Sequence, residues 1–310
     1  MIAGRKNSLL LLLTVVAVGT FIASMVTAQP SLEQMDERFK FTYDFNRFRK
    51  LQDPEAVGLD PGTTIEISGI DIAMLLPLEM KNGHTTILNG FTYVLENYGY
   101  RNWDGIRQPY RPERMHSIKY QFGVRRRLSR TWTGAVAVWP GLATDFENVD
   151  GDHVYYEGAL LLSHEISRTR TLGFGVAYTN LFGEPLLLPV FQWVRARSAN
   201  HKVDVLLPRK AHFIIFPSES VHLTIGATVS GDNYRIGADE APEKNATLRE
   251  SSVRVGFQLT RRLSRKYAAS IDAGGAFARI LQVQDEDDNK LIDLDLKPTP
   301  YVRVGVALTR

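Results

Sequence analysis

The chain lacks cysteine altogether and has little net charge. Among its 310 residues, 37 Lys and Arg stand against 34 Asp and Glu. Without cysteine there can be no disulfide framework, no thiolate metal site, no cysteine nucleophile and no lipid-modified cysteine. Proteins that follow the phosphates of a nucleic acid are normally far more basic than this, so nucleic acid is not an expected partner.

The chain also has only one long apolar run, and this run lies at its start. Arg5 and Lys6 precede an apolar segment over residues 9–26, and small residues follow up to Ala28. This three-part pattern predicts a secretory signal peptide over residues 1–28 that is cleaved after Ala28. The alternative is an uncleaved anchor helix, because the run is near the lower limit for spanning a bilayer.

We expect the rest of the chain to consist of a short periplasmic segment and one large domain. Residues 29–37 form the segment, and residues 38–310 form the domain. Removing Arg5 and Lys6 leaves 37 − 2 = 35 basic residues against 34 acidic ones, so the exported chain is close to neutral.

Apolar and polar residues alternate through most of this domain. Phe39, Phe41, Tyr43 and Phe45 are separated by polar residues, as in a strand with one apolar face. No long segment shows a sustained helical period of apolar residues, so the sequence predicts an all-β fold. Similar alternation recurs over residues 114–127, 248–260 and 301–308.

Three short segments share an aliphatic-Ser-Arg core, and each joins two alternating runs. We interpret them as tight hairpin turns at one end of a sheet. Longer connections, predicted over residues 49–62, 99–113, 146–153, 231–246 and 284–297, would then lie at the other end. The three cores are Leu128-Ser129-Arg130, Ile166-Ser167-Arg168 and Leu263-Ser264-Arg265.

Counting strands between these connections gives fourteen. The weakest point is the stretch 203–216, where Pro208 could mark a turn or a bend within one strand; the second reading leads to twelve strands. The predicted strands lie near 38–48, 63–79, 84–98, 114–127, 132–145, 154–166, 171–182, 186–197, 201–207, 210–216, 220–230, 247–261, 266–283 and 299–309.

Short turns at one end and long loops at the other are typical of an antiparallel up-and-down transmembrane β-barrel of the Gram-negative outer membrane. A sheet in lipid must close, because lipid cannot pair with the backbone groups of a free edge. Trp132 and Tyr267 follow equivalent turns and each begins an apolar face, which predicts an interfacial aromatic girdle. A soluble periplasmic β-sandwich is the alternative architecture, since its sheets alternate in the same way.

Long charged residues on the polar face of one strand stand beside small residues on the next. We interpret this as the inner face of a barrel, where small and long side chains together fill a confined lumen. The residues predicted to line it are Lys119, Arg125, Glu157, Glu250, Arg254, Asp272 and Arg303.

Five segments, at residues 183–189, 192–193, 203–208, 213–217 and 231–235, resemble a family of bacterial outer-membrane β-barrel proteins of unknown function. The resemblance implies an outer-membrane location, with lipid and lipopolysaccharide as partners, but no activity. The last strand is similar to the signal read by the barrel-assembly machinery, with Gly305 and Leu308 in matching places. Such signals usually end on Phe or Trp, whereas this chain ends on Arg310.

The sequence offers no catalytic residue and no cofactor site. Ser163, His164 and Glu165 are the residue types of a hydrolase triad, but neighbours on a strand point to opposite faces. A lipid hydrolase is therefore only a minor alternative. The acidic loop at Asp145, Glu147, Asp150 and Asp152, and the acidic run 285–288, could bind Ca²⁺, although solvated outer loops are the simpler interpretation.

Two classes of function remain open. The barrel could be a porin-like channel for small polar solutes, because its inner face carries charges of both signs. Alternatively, those charges could pair across a filled lumen, and the barrel would then be a structural or adhesive scaffold that acts through its outer loops.

Overall fold

The computed structural model describes the chain from residue 37 to residue 309, with gaps in several loops. The predicted signal peptide, its cleavage site and Arg310 lie outside the described residues. The described ranges are 37–45, 49–51, 55, 59–60, 62–103, 111–147, 149, 151–179, 186–198, 200–237, 246–285 and 289–309.

One continuous sheet contains nearly all of the described backbone. In that part of the chain, no helix is long and apolar enough to cross a membrane. A short 3-10 helix, Gly151–His153, precedes β7. The strands are β1 (Glu37–Phe45), β2 (Arg49–Lys50), β3 (Thr64–Glu79), β4 (Thr85–Arg101), β5 (Arg114–Arg127), β6 (Trp132–Thr144), β7 (Val154–Ser167), β8 (Arg170–Thr179), β9 (Leu186–Ser198), β10 (His201–Leu207), β11 (Lys210–Ser218), β12 (Val221–Ile236), β13 (Ala246–Arg262), β14 (Tyr267–Gln284), β15 (Lys290–Leu296) and β16 (Thr299–Thr309).

The sheet closes into a barrel of fourteen strands. Antiparallel pairing runs from β3 through to β14, then to β16, and β1 pairs on one side with β16 and on the other with β3. The predicted count of fourteen is confirmed. Pro208 and Arg209 form a turn, and β10 and β11 pair on either side of it, so the twelve-strand alternative is wrong. The two further strands, β2 and β15, are short additions at one end.

The alternating sequence gives this barrel two different faces. On β1, Phe39, Phe41 and Phe45 are exposed, whereas Thr42 between them is buried. The same arrangement recurs on other strands of the barrel, with apolar side chains on the outer face and small, polar or charged side chains on much of the inner face. Such an arrangement suits a sheet that has lipid, rather than water, around its outer face.

The aliphatic-Ser-Arg segments are tight turns at one end of the barrel, as predicted. Ser129 Oγ accepts hydrogen bonds from the backbone N–H groups of Thr131 and Trp132, at 3.3 and 3.1 Å. Ser264 Oγ accepts the equivalent pair, both at 3.2 Å, from Lys266 and Tyr267. The serine is therefore repeated because its hydroxyl satisfies backbone donors that the turn leaves unpaired.

Several connections at the opposite end are shorter than predicted. The predicted loops 231–246 and 284–297 are wrong in part, because β12 continues to Ile236, β13 begins at Ala246, and β15 pairs with β14. β4 likewise reaches Arg101. On β15 and at the end of β12, buried apolar residues still alternate with polar residues that are exposed or partly exposed, which allows these strands to extend past the main barrel.

The extended ends form a smaller ring on top of the main barrel. β12 leaves β11 after Thr228 and crosses to β6, where Arg235 pairs with Thr144 in parallel orientation. An antiparallel bridge between Leu51 and Leu296 joins the ends of β2 and β15. The ring thus runs through β2 to β6 and β12 to β15.

A packed apolar core fills this ring, and we call it the outer core. It lies at the long-loop end of the barrel, where a water-filled pore would need an opening. Its buried residues are Leu51, Leu59, Ile65, Ile67, Tyr98, Trp103, Met115, Ala143, Tyr234, Ile236, Ala246, Leu248, Leu281, Val283, Ile292, Leu294 and Leu296.

Candidate functional site

Beneath the outer core the barrel encloses a cavity of about 320 Å³. Its walls come from β1, β3, β4, β11 to β14 and β16, together with the turn between β10 and β11. Six acidic residues line it: Asp44, Asp71, Glu96, Asp232, Glu250 and Asp272. Four arginines line it as well: Arg209, Arg254, Arg279 and Arg303.

Asp44 connects two of these arginines on one wall of the cavity. Its Oδ2 lies 3.1 Å from Arg254 Nη2 and 3.8 Å from Arg303 Nε. Arg303 Nη2 also lies 3.7 Å from Asp71 Oδ2. The structure therefore places Arg254 and Arg303 on the inner side of β13 and β16, in one network with acidic groups from β1 and β3.

Glu250 lies at the top of the cavity, directly below the outer core. It forms an ion pair with Arg279, and the side chain of Arg279 is 2% exposed. Glu96 accepts hydrogen bonds from Tyr98, at 2.6 Å, and from Tyr234, at 3.0 Å. These polar contacts involve residues of β4, β12, β13 and β14. They form a layer of hydrogen-bonded and charged groups directly below the outer core.

Lys119 connects the two sides of the barrel. Its Nζ lies 3.2 Å from Asp232 Oδ1 on β12 and 3.6 Å from Glu157 Oε2 on β7. Thr179 donates a hydrogen bond of 2.6 Å to Glu157 Oε1. Lys119 and Glu157 are both buried, so this network spans the interior rather than the surface.

Arg125 and Asp272 are the two remaining residues that were predicted to line a lumen. Arg125 is half-buried near the short-turn end of β5. Asp272 lines the cavity, and its Oδ1 accepts a hydrogen bond of 2.9 Å from Tyr301. Of the seven residues predicted to line a lumen, four border the cavity itself: Glu250, Arg254, Asp272 and Arg303.

The sequence reasoning did not single out Glu96, Arg209, Arg279 or the tyrosines that contact them. Tyr234 and Ile236 alternate with Asn233 and Arg235, and this signal could have extended β12 and placed Asp232 on its inner face. No comparable signal marks Arg279, because Ala278 next to it has φ of 47° and interrupts the alternation of β14.

The hairpin of β10 and β11 contributes a basic edge to the cavity. Lys210 Nζ pairs with Asp204 Oδ2 at 2.7 Å, and His212 Nε2 lies 2.9 Å from Thr228 Oγ1. Arg209 lies in the turn itself, and its buried Nη1 has no hydrogen-bond partner among the described residues.

A cluster of apolar side chains lies on the inner face between β4 and β10, beside buried polar and charged residues such as Lys119, Glu157 and Gln192. We call the buried residues of this cluster the apolar wall; they are Leu88, Ala137, Trp139, Leu161, Ala177, Val190 and Leu206. The interior thus combines a charged cavity with this apolar wall.

The predicted girdle and turn residues lie together at the short-turn end. Trp132 is 40% exposed and stacks on His164, and Tyr267 is 49% exposed. The serine and arginine side chains of the three turns are exposed, namely Ser129, Arg130, Ser167, Arg168, Ser264 and Arg265.

The residue types of the hydrolase triad do not converge. Ser163 points inward, where its Oγ donates a hydrogen bond of 2.9 Å to Gln192 Oε1. His164, next along β7, stacks on Trp132 on the outer side.

The acidic loops provide no metal site in the described part of the chain. Asp145 instead accepts hydrogen bonds from the backbone N–H of Gly237, at 3.1 and 3.2 Å. Asp150 and residues 286–288 lie outside the described residues, and the side chain of Asp152 is not described.

A closed fourteen-strand barrel with an apolar exterior and a charged interior is a β-barrel of the outer-membrane type. Residues 31–309 match the family described as a domain of unknown function, DUF6268, and the chain belongs to this family. No curated protein matches the sequence.

Several solved structures are similar to the chain at low sequence identity. An outer membrane channel from Pseudomonas putida F1 is 5% identical, with 91% of this chain and 99% of that one covered, at a TM-score of 0.45. The Pseudomonas putida toluene transporter TodX is 10% identical, with 93% of each chain covered, at a TM-score of 0.37. The NanC porin is 10% identical, with 88% of this chain and 100% of that one covered, at a TM-score of 0.35.

Proposed function

We propose that the protein is an outer-membrane channel for small polar solutes, with a path that runs through the charged cavity and is closed by the outer core. The observation that carries this proposal is the cavity itself. A space of about 320 Å³ remains inside the barrel, although it is lined by groups that could pair and fill it. Charges of both signs on its walls suit solutes of either charge.

The outer core would be the gate of this channel. Trp103 is fully buried in it, and its Nε1 donates a hydrogen bond of 2.9 Å to the Thr64 carbonyl at the start of β3. Packing of this kind excludes water, so conduction requires the outer core to loosen.

Single-channel recording in planar bilayers tests the proposal. Folded protein should give rare conductance steps, and Trp103→Ala should make them more frequent, because the substitution leaves a cavity in the outer core. Trp132→Ala is the matched control, since Trp132 lies on the outer surface, far from the core. Equal behaviour of Trp103→Ala and Trp132→Ala would contradict the role of the outer core.

The outer core and the ion pairs of Lys119 favour a second candidate, a filled structural or adhesive barrel. Both features join elements from opposite sides of the interior. If neither the folded protein nor Trp103→Ala gives conductance steps, this candidate replaces the channel.

We further propose that the chain is exported by a signal peptide over residues 1–28 that is cleaved after Ala28, and that it has no enzymatic activity. The opposite orientations of Ser163 and His164 support the second part. Lipopolysaccharide and the barrel-assembly machinery are the partners that this location would provide. N-terminal sequencing of protein from outer-membrane fractions tests the cleavage site, and a first residue other than Gln29 would contradict it.

A further inference from the structure

The hairpin of β10 and β11 is too short to cross a membrane. β10 has 7 residues and β11 has 9, whereas the flanking strands β9 and β12 have 13 and 16. At a rise of about 3.3 Å per residue, β10 is roughly 23 Å long. A tilt of about 45° reduces this to roughly 16 Å along the membrane normal, compared with an apolar band of about 25 Å. The hairpin therefore ends inside the band.

Above the hairpin, the wall formed by the described residues has a gap. β9 pairs with β10 only from Phe191 onwards, and β12 pairs with β11 only up to Thr228. No described strand lies between residues 186–190 of β9 and the upper part of β12, which turns away to reach β6. The gap is bounded by β9, by the turn at Pro208 and Arg209, and by β12.

The backbone around this gap is suited to an apolar surrounding. Pro189 on β9 and Pro208 in the turn have no N–H group, so neither leaves a donor unpaired. On the other side, the Val229 N–H donates a hydrogen bond of 2.9 Å to the Arg209 carbonyl. The two prolines and this hydrogen bond reduce the number of unpaired backbone groups at the gap. They therefore lower the free-energy cost of ending the barrel wall within lipid.

The side chains at the gap are apolar outside and cationic inside. Leu187 and Leu207 face outward and are 67% and 41% exposed. On the inner side, Leu206 belongs to the apolar wall, whereas Arg209 borders the charged cavity. A molecule passing inward would therefore meet leucines first and then a guanidinium group.

We propose that this gap is a side portal, which admits a small amphipathic carboxylate from the membrane and binds its head group at Arg209. The planar guanidinium matches a carboxylate, and in the described part of the chain its buried Nη1 is without a hydrogen-bond partner. Apart from Arg209, the cavity is lined by six acidic residues and three arginines, so the anionic head group stays at the portal. This proposal goes beyond the channel proposed above, because it adds a lateral binding site at the edge of the same cavity.

Titration calorimetry of the folded protein in detergent tests the binding, with detergent-only blanks. Octanoate should bind, and Arg209→Gln should weaken its binding at least about tenfold, as expected for loss of a charge-assisted hydrogen bond. Arg130→Gln, in an exposed turn, is the matched control and should bind octanoate normally. Octyltrimethylammonium has the same apolar chain but a cationic head, and it should bind at least about tenfold more weakly than octanoate. Equal octanoate binding by the two variants, or equal binding of the two probes, overturns the proposal.

The route is tested by chemical blocking, because the chain has no cysteine of its own. Leu207→Cys labelled with a bulky maleimide should lose octanoate binding, whereas the unlabelled variant and labelled Leu308→Cys should keep it. Leu308 is also exposed on the outer face, but it lies on β16. Binding that survives the label at residue 207 contradicts the portal. The shift of each variant on an unboiled gel verifies that it is folded.

These results separate the portal from the channel. Conductance steps without Arg209-dependent octanoate binding would retain the channel and eliminate the portal. Arg209-dependent binding without conductance steps would retain the binding site and eliminate the channel for polar solutes.

Discussion

Lys119 and Asp232 form an ion pair across the interior of the barrel, with 3.2 Å between Nζ and Oδ1. The pair joins β5 to β12 at the level where β12 leaves the main wall, and Glu157 adds a contact from β7. An ion pair in this position stabilises the path of β12 toward β6, because it connects β12 to β5, which is the neighbour of β6.

We predict that Lys119→Met destabilises the folded barrel by about 3 to 5 kcal/mol, since it leaves the buried carboxylate of Glu157 and the partly buried carboxylate of Asp232 without this cation. Urea unfolding of protein in lipid vesicles, followed by tryptophan fluorescence, measures this. Lys290→Met is the control: Lys290 pairs with Asp293 at 2.8 Å, but both side chains are 46% exposed, so the change should be below about 1 kcal/mol. Similar losses for the two variants would show that the interior pair has no special role.

We predict that Ser264→Ala lowers the free energy of unfolding by about 1 kcal/mol, because the backbone N–H groups of Lys266 and Tyr267 lose their acceptor. Ser129→Ala should have a similar effect, since its hydroxyl accepts the equivalent bonds. The same unfolding assay measures both. Arg265→Gln, in the same turn, should be within about 0.5 kcal/mol of the unmodified protein, as for most exposed substitutions.

These turns show why much of the fold was predictable. A tight turn has a local chemical requirement, here a hydroxyl that accepts from the backbone, and the repeated serine reveals it in the sequence. The alternation of Phe39, Phe41 and Phe45 with polar residues is likewise a local consequence of strand geometry. The number of strands, and which end of the barrel has the short turns, follow from adding such local signals along the chain.

The ring above the barrel was missed for a different reason. Ile292, Leu294 and Leu296 alternate with Asp293 and Asp295, so β15 has a visible signal, but the neighbouring acidic run suggested a loop. The crossing of β12 to β6 has no local signal at all. It depends on which side chains meet in three dimensions, as Lys119 and Asp232 do, and alternation within one strand contains no such information.

We predict that Leu51→Ala destabilises the outer core by about 2 to 5 kcal/mol, because Leu51 is 2% exposed and the substitution leaves a cavity where β2 meets β15. Trp103 packs in the same core, so its fluorescence should change at a lower urea concentration than in the unmodified protein. Leu308→Ala, on the outer face, is the control and should not change the urea concentration at which this transition occurs. An unchanged transition in Leu51→Ala would show that packing of the Leu51 side chain does not hold the ring together.

We predict that Arg254→Gln makes the proposed channel more selective for cations. Arg254 is one of four arginines among the charged groups of the cavity, and its loss removes the contact of 3.1 Å between its Nη2 and Asp44 Oδ2. The cavity then carries more uncompensated negative charge, which concentrates cations and repels anions. Reversal potentials in a potassium chloride gradient measure the shift, and Arg261→Gln, an exposed residue on the same strand, should show none. A reversal potential that is the same for both variants would mean that ions do not pass through the charged cavity.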